Sequence, residues 1–333
     1  MSRTAPILVI GSNCFTGSHF VDALLADPDQ FVVGISRSPE KSALYLPYKA
    51  RERRNFEFYQ IDLVRQPNAL QSLLDELQPS VAIHVAALSE VALSNFSPVE
   101  YFQTNTVGAV TLCNFLRTRS YLKQYIHISS AEIYGSCDRP VKETDPFRPS
   151  TPYAVSKAAA DMYLATLVKN FNFPVITVRS TNVYGKHQQL YKIIPRTVMA
   201  IKQGKKVQLH GGGRAAKSFV HVRDVVRGGL TAMRAGSPPG SVYHFSVPSE
   251  RTISKIVRRV AELMGKRFEE VAEPVEERLG QDSRYLLDCT KAKQELGWEP
   301  QVPFDQGLKE VIDWLESSWD QLAKEPLVYE HKV

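Results

Sequence analysis

The sequence predicts an α/β protein with a doubly wound parallel sheet and a smaller, discontinuous carboxy-terminal α/β lobe. Three observations carry this prediction. Short, continuous apolar runs recur along the first 180 residues, as expected of strands that are buried on both faces. Segments with the period of a helix separate these runs. A loop with two glycines follows the first run, at the position where a Rossmann-type sheet holds a dinucleotide.

The elements follow one another in a regular order up to about residue 180. The predicted strands are the apolar runs at 6–10, 31–35, 81–85, 125–128 and 175–178. The predicted helices lie at 16–26, 67–77, 99–118 and 153–171. After that the alternation ends, and we expect a loop at 183–191, a helix near 193–203, a turn at Gly211–Gly213, a strand and helix at 218–235, a Pro/Gly linker at 236–240 and helices near 252–264 and 304–323.

This order divides the chain into two predicted units. Residues 1–180, with about 218–247, form the dinucleotide-binding Rossmann domain, and 181–217 with 248–325 form the smaller lobe, which binds the substrate. The 333 residues are 43% hydrophobic and 23% charged, which suits a globular protein with a large core.

Charge and cysteine content narrow the class of protein. The net charge is +6, but the basic residues are interleaved with 35 acids and form no basic arm, which argues against nucleic acid and suits a phosphorylated small molecule. The four cysteines are far apart and form no Cys-x-x-Cys pair, so we expect a reduced cytoplasmic protein without a structural metal. No long apolar segment occurs, so we expect neither a secretory signal nor a membrane span.

The loop between the first predicted strand and helix reads Gly11-Ser12-Asn13-Cys14-Phe15-Thr16-Gly17. Glycines permit a tight turn there, and backbone amides together with the helix dipole hold a pyrophosphate. We expect the cofactor at Gly11, Asn13, Cys14, Phe15, Thr16 and Gly17. Cys14 stands where the usual fingerprint has glycine. A small side chain is compatible with this position if its backbone φ is ordinary. The alternative interpretation is that Cys14 is a reactive thiol.

The end of the second predicted strand indicates which dinucleotide binds. An NAD site usually has an acid near Ser36 for the ribose hydroxyls, whereas this chain has Ser36 followed by Arg37, a partner for a 2′-phosphate. We therefore expect NADP, with NAD as the alternative and a solvent-facing Arg37 as the plainer interpretation. Asp62 and Leu63, after a further strand between the apolar runs at 31–35 and 81–85, are expected near the adenine, although an aspartate there also caps helices.

A tyrosine–lysine pair and a strand end carry the predicted chemistry. Tyr153 and Lys157 are four residues apart in a helical segment and share one face. The ammonium is expected to lower the pKa of the phenol, so that Tyr153 acts as a base near neutral pH. Ser130 and Glu132 follow the strand at 125–128, at the sheet edge where ligands bind.

These motifs resemble the extended short-chain dehydrogenase/reductase family, and within it the nucleotide-sugar 4,6-dehydratases. The resemblance covers about residues 5–316. The segments that carry the narrower resemblance are His84–Val91, Thr104–Gly108, Arg179–Gly185, Lys192–Pro195, Lys217–Val222, Gly280–Tyr285 and Glu295–Pro300.

The resemblance implies further binding residues. Those next to the cofactor are Ala86, Ala87, Ser89, Asn105, Ser129, Tyr153 and Lys157. Those that contact a nucleotide-diphosphate sugar are Ser89, Ser94, Glu132, Asn182, Lys192, Lys217 and Arg284. Lys217 stands where the family usually has a phosphate-binding arginine, and it keeps the charge but loses the planar fork. Arg284 is implied to be a second clamp on the diphosphate.

The resemblance also implies a reaction. A 4,6-dehydratase oxidises C4 of the sugar, removes the C5 proton, expels the C6 hydroxyl and returns the hydride to C6, so its tightly bound cofactor is recycled. The implied roles are C4 base for Tyr153, supporting cation for Lys157, hydrogen-bond support for Ser130 and C5 base for Glu132. Ala131 stands where the dTDP-glucose type has an aspartate. The absence of this acid resembles the GDP-mannose type, in which the glutamate serves both steps.

Several alternatives remain open from the sequence. Nucleotide-sugar 4-epimerases share the tyrosine and lysine, UDP-glucuronate decarboxylases also share the glutamate, and a dinucleotide-sensing regulator would share the fold without the chemistry. A homodimer is expected through the helices at 99–118 and 153–171, whose apolar residues include Val107, Val110, Leu112, Phe115, Met162, Tyr163 and Leu167. A buried core would give the same pattern.

Overall fold

The computed structural model describes residues 5–50, 55–277, 282 and 284–328. The strands are β1 (Ile7–Ile10), β2 (Val32–Ser36), β3 (Phe56–Gln60), β4 (Val81–His84), β5 (Gln124–Ile128), β6 (Val175–Ser180), β7 (Asn182–Tyr184), β8 (Val207–His210), β9 (Ala216–Lys217), β10 (Phe219–His221), β11 (Ser241–Phe245), β12 (Arg251–Thr252), β13 (Ala272–Val275) and β14 (Arg284–Tyr285). The α-helices are α1 (Phe15–Leu24), α2 (Pro67–Leu77), α3 (Val91–Ser94), α4 (Pro98–Tyr101), α5 (Gly108–Leu116), α6 (Pro152–Phe171), α7 (Ile193–Lys202), α8 (Val222–Arg234), α9 (Ile253–Leu263), α10 (Phe268–Val271), α11 (Thr290–Leu296), α12 (Phe304–Ser317) and α13 (Trp319–Leu322).

A seven-stranded parallel sheet forms the main body, with the strand order β11-β6-β5-β4-β1-β2-β3. The chain reverses its direction of winding beside β1, where Ile10 pairs with Ile35 of β2 on one side and with His84 of β4 on the other. The predicted Rossmann-type α/β fold is therefore confirmed. A doubly wound sheet opens a crevice at such a reversal, beyond the carboxyl ends of its strands.

Helices cover both faces of this sheet, and the strands β1, β2 and β6 therefore bury every side chain. Ile7 and Val9 of β1 pack into one core cluster together with α1 and α8, while Leu8 and Ile10 pack into a second cluster with α2, α5 and α6. This alternation is the period-two geometry of a strand. It explains why the strands appear in the sequence as continuous apolar runs.

The predicted helix at 99–118 is interrupted in the structure. Between α4 and α5, residues Phe102–Val107 form a π-helical segment. Its Asn105 is buried, accepts a hydrogen bond from the Leu88 backbone nitrogen (2.8 Å) and donates to the Ser156 hydroxyl (3.0 Å). π-Helical turns often mark functional sites. Here the turn aims Asn105 at the segment that follows β4.

The smaller lobe consists of short strand pairs and helices. β10 pairs with β7, β13 with β8, and the three strands β12, β9 and β14 form one sheet, over a core to which α7, α9 and α12 contribute. The sequence predicts a loop over all of 183–191, which is wrong at its start, because β7 continues to Tyr184. In the parallel pair of β9 and β14, Tyr285 lies beside Lys217.

None of the helices in the described ranges combines the length and the apolar character that crossing a bilayer requires. The same residues contain no group of three or more His, Cys, Asp or Glu side chains that is suited to a metal ion.

Candidate active site

A cavity of about 460 Å³ lies at the carboxyl ends of β1, β4, β5 and β6, and residues of the smaller lobe line its other side. All four side chains that the sequence predicts to be catalytic line it: Ser130, Glu132, Tyr153 and Lys157. The sheet and α6 therefore bring together residues that are up to 27 positions apart in the chain.

The start of α6 places Tyr153 and Lys157. Thr151 caps the helix, since its hydroxyl accepts a hydrogen bond from the Ala154 nitrogen (3.2 Å), and a proline occupies the first helical position. Lys157 is only 3% exposed, and its ammonium donates to the Ile128 carbonyl oxygen (2.8 Å). Burial lowers the pKa of Lys157 to about 8, while the nearby Asp161 carboxylate opposes this shift.

The pKa of the Tyr153 phenol is shifted in the direction opposite to the one predicted from the sequence. Burial raises its pKa, and the charges of Glu132 and Glu90 raise it further, while a hydrogen bond from Ser130 lowers it. The predicted lowering by Lys157 is therefore wrong for this arrangement. The physical reason is that the ammonium is directed at the Ile128 carbonyl, so desolvation of the phenol outweighs the attraction of a nearby cation.

Glu132 lies in a single turn of 3₁₀-helix that follows β5. The turn is capped by Ser130, whose hydroxyl accepts a hydrogen bond from the Glu132 nitrogen (3.2 Å). Burial raises the pKa of the carboxyl to about 7, and the positive charges of Lys217 and Lys192 act against this shift. A carboxyl that titrates near neutral pH is able both to accept and to donate a proton.

The glycine loop has the geometry that a dinucleotide requires. Gly11 has a φ of +91°, and a Cβ atom there would lie 2.6 Å from the Ala86 nitrogen; a Cβ atom at Gly17 would lie 2.2 Å from the Gly11 oxygen. Cys14, Phe15 and Thr16 line the cavity at the amino terminus of α1.

Cys14 fits this loop as a helix cap. Its φ is −82°, an ordinary value, and its sulfur accepts a hydrogen bond from the Gly17 nitrogen (3.2 Å). The expectation that a small side chain is compatible with the fingerprint is confirmed. Burial raises the pKa of the thiol, which disfavours the alternative of a reactive cysteine.

The other predicted cofactor residues fall into two groups. Ala87, Ser89 and Ser129 line the cavity, and the buried Ser129 hydroxyl has no hydrogen-bond partner among the described residues. The glycine cradle and this unpaired hydroxyl fit a bound dinucleotide. Ala86 and Asn105 lie behind the lining, where Ala86 donates to the Ile10 carbonyl and Asn105 holds Leu88.

At the adenine end, Ser36 accepts a hydrogen bond from the Asn13 nitrogen (3.0 Å), which ties the ends of β1 and β2 together. Arg37 is exposed, and its guanidinium has no partner in the described part of the chain. Asp62 accepts hydrogen bonds from the backbone nitrogens of Val64 and Arg65, so it caps the turn after β3, and Leu63 is buried in the core.

Four of the predicted substrate residues besides Glu132 line the cavity: Ser89, Asn182, Lys192 and Lys217. Two others do not. Ser94 is buried and donates to the Val91 carbonyl oxygen (2.6 Å), and Arg284 is paired with Glu250 through its Nε (2.7 Å). Gly280, Gln281 and Ser283, from the motif that includes Arg284, lie outside the described residues.

The structure adds lining residues to which the sequence assigned no role. Glu90 forms an ion pair with Lys192 across the cavity, and Tyr285 lies with its hydroxyl 3.5 Å from the Glu132 carboxyl oxygen Oε1. Asp282 also lines the cavity, and its carbonyl oxygen holds the Lys217 ammonium (2.6 Å). All three belong to segments that carry the family resemblance. The sequence therefore pointed to these segments, but it did not indicate what these three side chains do.

The chain is similar to known nucleotide-sugar 4,6-dehydratases in both sequence and fold. The family described as GDP-mannose 4,6 dehydratase matches residues 8–311. The chain is 30% identical to a dTDP-glucose 4,6-dehydratase of Haemophilus influenzae, over 92% of this chain and 97% of that protein. Among solved structures, a dTDP-glucose 4,6-dehydratase from Streptomyces venezuelae with NAD bound has a TM-score of 0.88 and 30% identity, covering 96% of this chain and all of that one.

A solved UDP-glucose 4-epimerase from Thermotoga maritima is also similar, with a TM-score of 0.85 and 27% identity, covering 94% of this chain and 99% of that one. The fold is therefore shared by dehydratases and epimerases. Fold alone does not distinguish the two activities.

Proposed function

The chain belongs to the GDP-mannose 4,6-dehydratase family, and we propose that it converts a nucleoside-diphosphate hexose to the 4-keto-6-deoxy sugar nucleotide. It is an NAD(P)-dependent nucleotide-sugar 4,6-dehydratase. A dinucleotide held by the glycine loop and Ser129 would supply the hydride acceptor for C4 and the hydride donor for C6, with no net change in its oxidation state. All other steps are proton transfers and positioning by residues of this chain.

Tyr153 acts as the base at C4. Its phenolate form accepts the proton of the C4 hydroxyl as the hydride leaves, and a hydrogen bond from Ser130 stabilises this form against the opposing effect of burial. Lys157 lines the same cavity, with its ammonium anchored to the Ile128 carbonyl oxygen (2.8 Å). A pKa near 8 keeps this lysine mostly charged at neutral pH.

Glu132 acts at C5 and then at C6. A C4 ketone makes the C5 proton acidic, and the Glu132 carboxylate accepts it; the protonated carboxyl then gives a proton to the C6 oxygen, and water leaves. Ala131 offers no acid for this second transfer. A pKa of about 7 lets one carboxyl serve in both directions.

The observation that carries this proposal is the convergence of Glu132 and Tyr153 in one buried cavity, close enough for the charge of the carboxylate to raise the pKa of the phenol. An epimerase needs a base at C4 alone. The second, neutral-range carboxyl supports chemistry at the adjacent carbons.

The test is an assay of the purified protein with dTDP-glucose, GDP-mannose and UDP-glucose. We expect at least one to yield a 4-keto-6-deoxy product, detected by its alkaline absorbance and by mass loss of one water, without net reduction of the cofactor. A C4 epimer with its C6 hydroxyl intact would favour the epimerase, and carbon dioxide from UDP-glucuronate would favour the decarboxylase. Binding of the dinucleotide without turnover would favour the regulator.

The diphosphate of the substrate is proposed to lie against Lys217 and Lys192, with Asn182 between them. Lys217 is nearly buried, and desolvation lowers its pKa, so a bound anion would restore the charge that burial disfavours. Arg284 would reach the diphosphate only after leaving Glu250. On this account, residues 181–217 and 248–325 form the sugar-nucleotide lobe, and 1–180 with about 218–247 form the cofactor domain.

The choice of dinucleotide is proposed from Arg37, whose free guanidinium suits the 2′-phosphate of NADP. The similar solved structures carry NAD, which is the alternative. We also propose a cytoplasmic location, which the four free cysteines support.

A homodimer is proposed through an apolar face on α4, the π-helical segment and α6. The exposed residues Val99, Phe102, Val107, Val155 and Met162 form this face, whereas Leu112 and Leu167 point into the core. Exposed apolar side chains at this density mark interaction surfaces.

The double change Val107→Glu with Met162→Glu is therefore expected to yield a monomer in light scattering, while Val328→Glu, at an exposed apolar residue outside this face, leaves the dimer intact. A wild-type protein that is already monomeric would contradict the proposal.

A further inference from the structure

We propose that Tyr285 is a positioning residue for Glu132, because its hydroxyl donates a hydrogen bond to the carboxyl and fixes it between C5 and C6 of the sugar. This inference rests on the proposed dehydratase function and deepens it. It concerns a side chain from the smaller lobe, opposite the wall that carries Tyr153.

The contact is partly buried and joins two residues that are far apart in the chain. Tyr285 is 4% exposed and lines the cavity, and its hydroxyl lies 3.5 Å from Glu132 Oε1. Burial raises the pKa of Tyr285 well above its ordinary value, so the phenol stays neutral and keeps its proton. A neutral phenol has one proton to donate, and the Glu132 carboxyl oxygen is its acceptor.

The backbone around Tyr285 is held on both sides. β14 pairs with β9 in the smaller lobe, and the segment after the Glu132 turn bonds to it from the sheet side: the Cys137 nitrogen donates to the Arg284 oxygen (3.0 Å) and the Val141 nitrogen to the Leu286 oxygen (3.0 Å). The strand that carries Tyr285 is thus tied to the same stretch of chain that carries Glu132. Such bracing fixes the separation of the two side chains.

A cation completes the arrangement. The Lys217 ammonium lies 3.8 Å from the centre of the Tyr285 ring and is anchored by the Asp282 carbonyl oxygen (2.6 Å). Its charge favours the ionised form of Glu132. Tyr285 therefore orients the carboxyl by a hydrogen bond while the cation on its ring favours the form that accepts a proton.

The chemistry explains why orientation matters here. As the C5–H bond breaks, the proton passes to a Glu132 oxygen and the electron pair enters the enolate of the C4 ketone. The same oxygen then gives the proton to the C6 hydroxyl as the C6–O bond breaks, a C5=C6 double bond forms and water departs. Because Ala131 supplies no second acid, the Glu132 carboxyl must reach two adjacent carbons in turn. Free rotation of this carboxyl would therefore slow both steps.

The test is Tyr285→Phe, which keeps the ring under Lys217 and removes only the hydroxyl. We expect kcat to fall roughly ten- to a hundredfold and KM to change little. This magnitude corresponds to the loss of one hydrogen bond to a charged group. The acid limb of the pH–rate profile moves to higher pH, because the carboxylate loses a donor. Reduced nicotinamide accumulates during turnover, since oxidation at C4 by Tyr153 continues while the Glu132 steps slow.

The matched control is Tyr121→Phe, which removes a tyrosine–carboxylate bond to Asp75 (3.1 Å) on the surface and is expected to keep wild-type kinetics. A misfolded variant would not reduce the cofactor, so accumulation of reduced nicotinamide separates positioning from structural damage. A Tyr285→Phe enzyme with wild-type kcat and acid limb, or one that slows without reduced cofactor, overturns the inference. Absence of the 4-keto-6-deoxy product with the wild-type enzyme would instead refute the function on which it rests.

Discussion

The two walls of the cavity are built in different ways. The sheet wall carries the glycine loop, Tyr153 and Lys157 on the ends of parallel strands and the first turns of two helices. The lobe wall carries Lys217 and Tyr285 on two strands of two residues each. The sheet wall is assembled from long elements with strong periodicity, whereas the lobe wall depends on one short pairing between distant parts of the chain.

The walls also differ in electrostatics. On the sheet wall, burial dominates, lowering the pKa of Lys157 and raising that of Tyr153. Glu132 stands between the walls: burial raises its pKa, and the lysines on the lobe side oppose that shift. Burial therefore sets the direction of the pKa shift at all three groups, but only at Glu132 do cations on the lobe side act against it.

The largest effect is expected from a substitution on the sheet wall. Tyr153→Phe removes the base at C4 and should lower kcat by roughly a thousandfold or more, within the range that general acid–base groups contribute. No reduced nicotinamide should form, because the first step fails. Stopped-flow absorbance with product analysis measures both, and Tyr163→Phe, on the same helix but outside the cavity lining, serves as the control. Near-normal turnover would show that another group is the base.

Glu132→Gln changes the carboxyl that stands between the two walls and tests its role after C4 oxidation. The amide keeps the shape but accepts no proton, so product formation should fall roughly a hundredfold or more. In contrast to Tyr153→Phe, reduced nicotinamide should accumulate, since C4 oxidation precedes the blocked step. Absorbance during a single turnover distinguishes the two variants. If both leave the cofactor oxidised, the assignment of C4 and C5 to different residues is wrong.

The same substitution should stabilise the fold at neutral and higher pH. Folding raises the pKa of Glu132 from its ordinary 4.5 to about 7, so between these values the folded state keeps a proton that the unfolded state has lost. Wild-type stability therefore falls by roughly 3 kcal/mol as the pH rises through that interval, and the loss persists above it. Gln has no such dependence.

Urea denaturation of both proteins measures this difference. Glu132→Gln should be the more stable by up to about that amount at about pH 8, and the gap should close near pH 4.5. A gap that is constant with pH would mean that folding does not shift the pKa of Glu132.

The smallest expected effect lies at the adenine end of the sheet wall. Arg37→Ala should weaken NADP binding by roughly tenfold, because the guanidinium no longer meets the 2′-phosphate, and should leave NAD binding within about twofold. Calorimetric titration with each dinucleotide measures this, and Arg234→Ala, at the far end of α8, is the matched control. An equal loss for both dinucleotides would place Arg37 away from the 2′ position.

The sheet wall was predictable from the sequence to within one or two residues for most elements. β1, β4 and β6 are buried apolar runs, and α2 and α6 have clear starts, each with a proline in the first turn. The four catalytic candidates also follow from sequence, because each stands at a strand end or helix start. The pKa of Tyr153 did not follow, since it depends on where the Lys157 ammonium points and on how deeply the phenol is buried.

The lobe wall was much less predictable. Strands as short as β9 and β14 have no readable period, so the approach of Tyr285 to Glu132 cannot be derived from spacing. Arg284 and Ser94 illustrate the same limit: both belong to segments that resemble the family, yet one is paired with Glu250 and the other with its own helix backbone. The π-helical segment around Asn105 was likewise hidden within an apparently continuous helix.

The sequence by itself determined the parallel sheet, the dinucleotide loop and the chemical groups available for catalysis, because local periodicity and turn chemistry specify strands, helices and their ends. Only the tertiary structure decided which of those groups meet, which carboxyl is buried enough to titrate near neutral pH, and which cations face it. The physical reason is that desolvation and Coulomb interactions depend on distances between residues far apart in the chain, and those distances are set by packing rather than by local sequence.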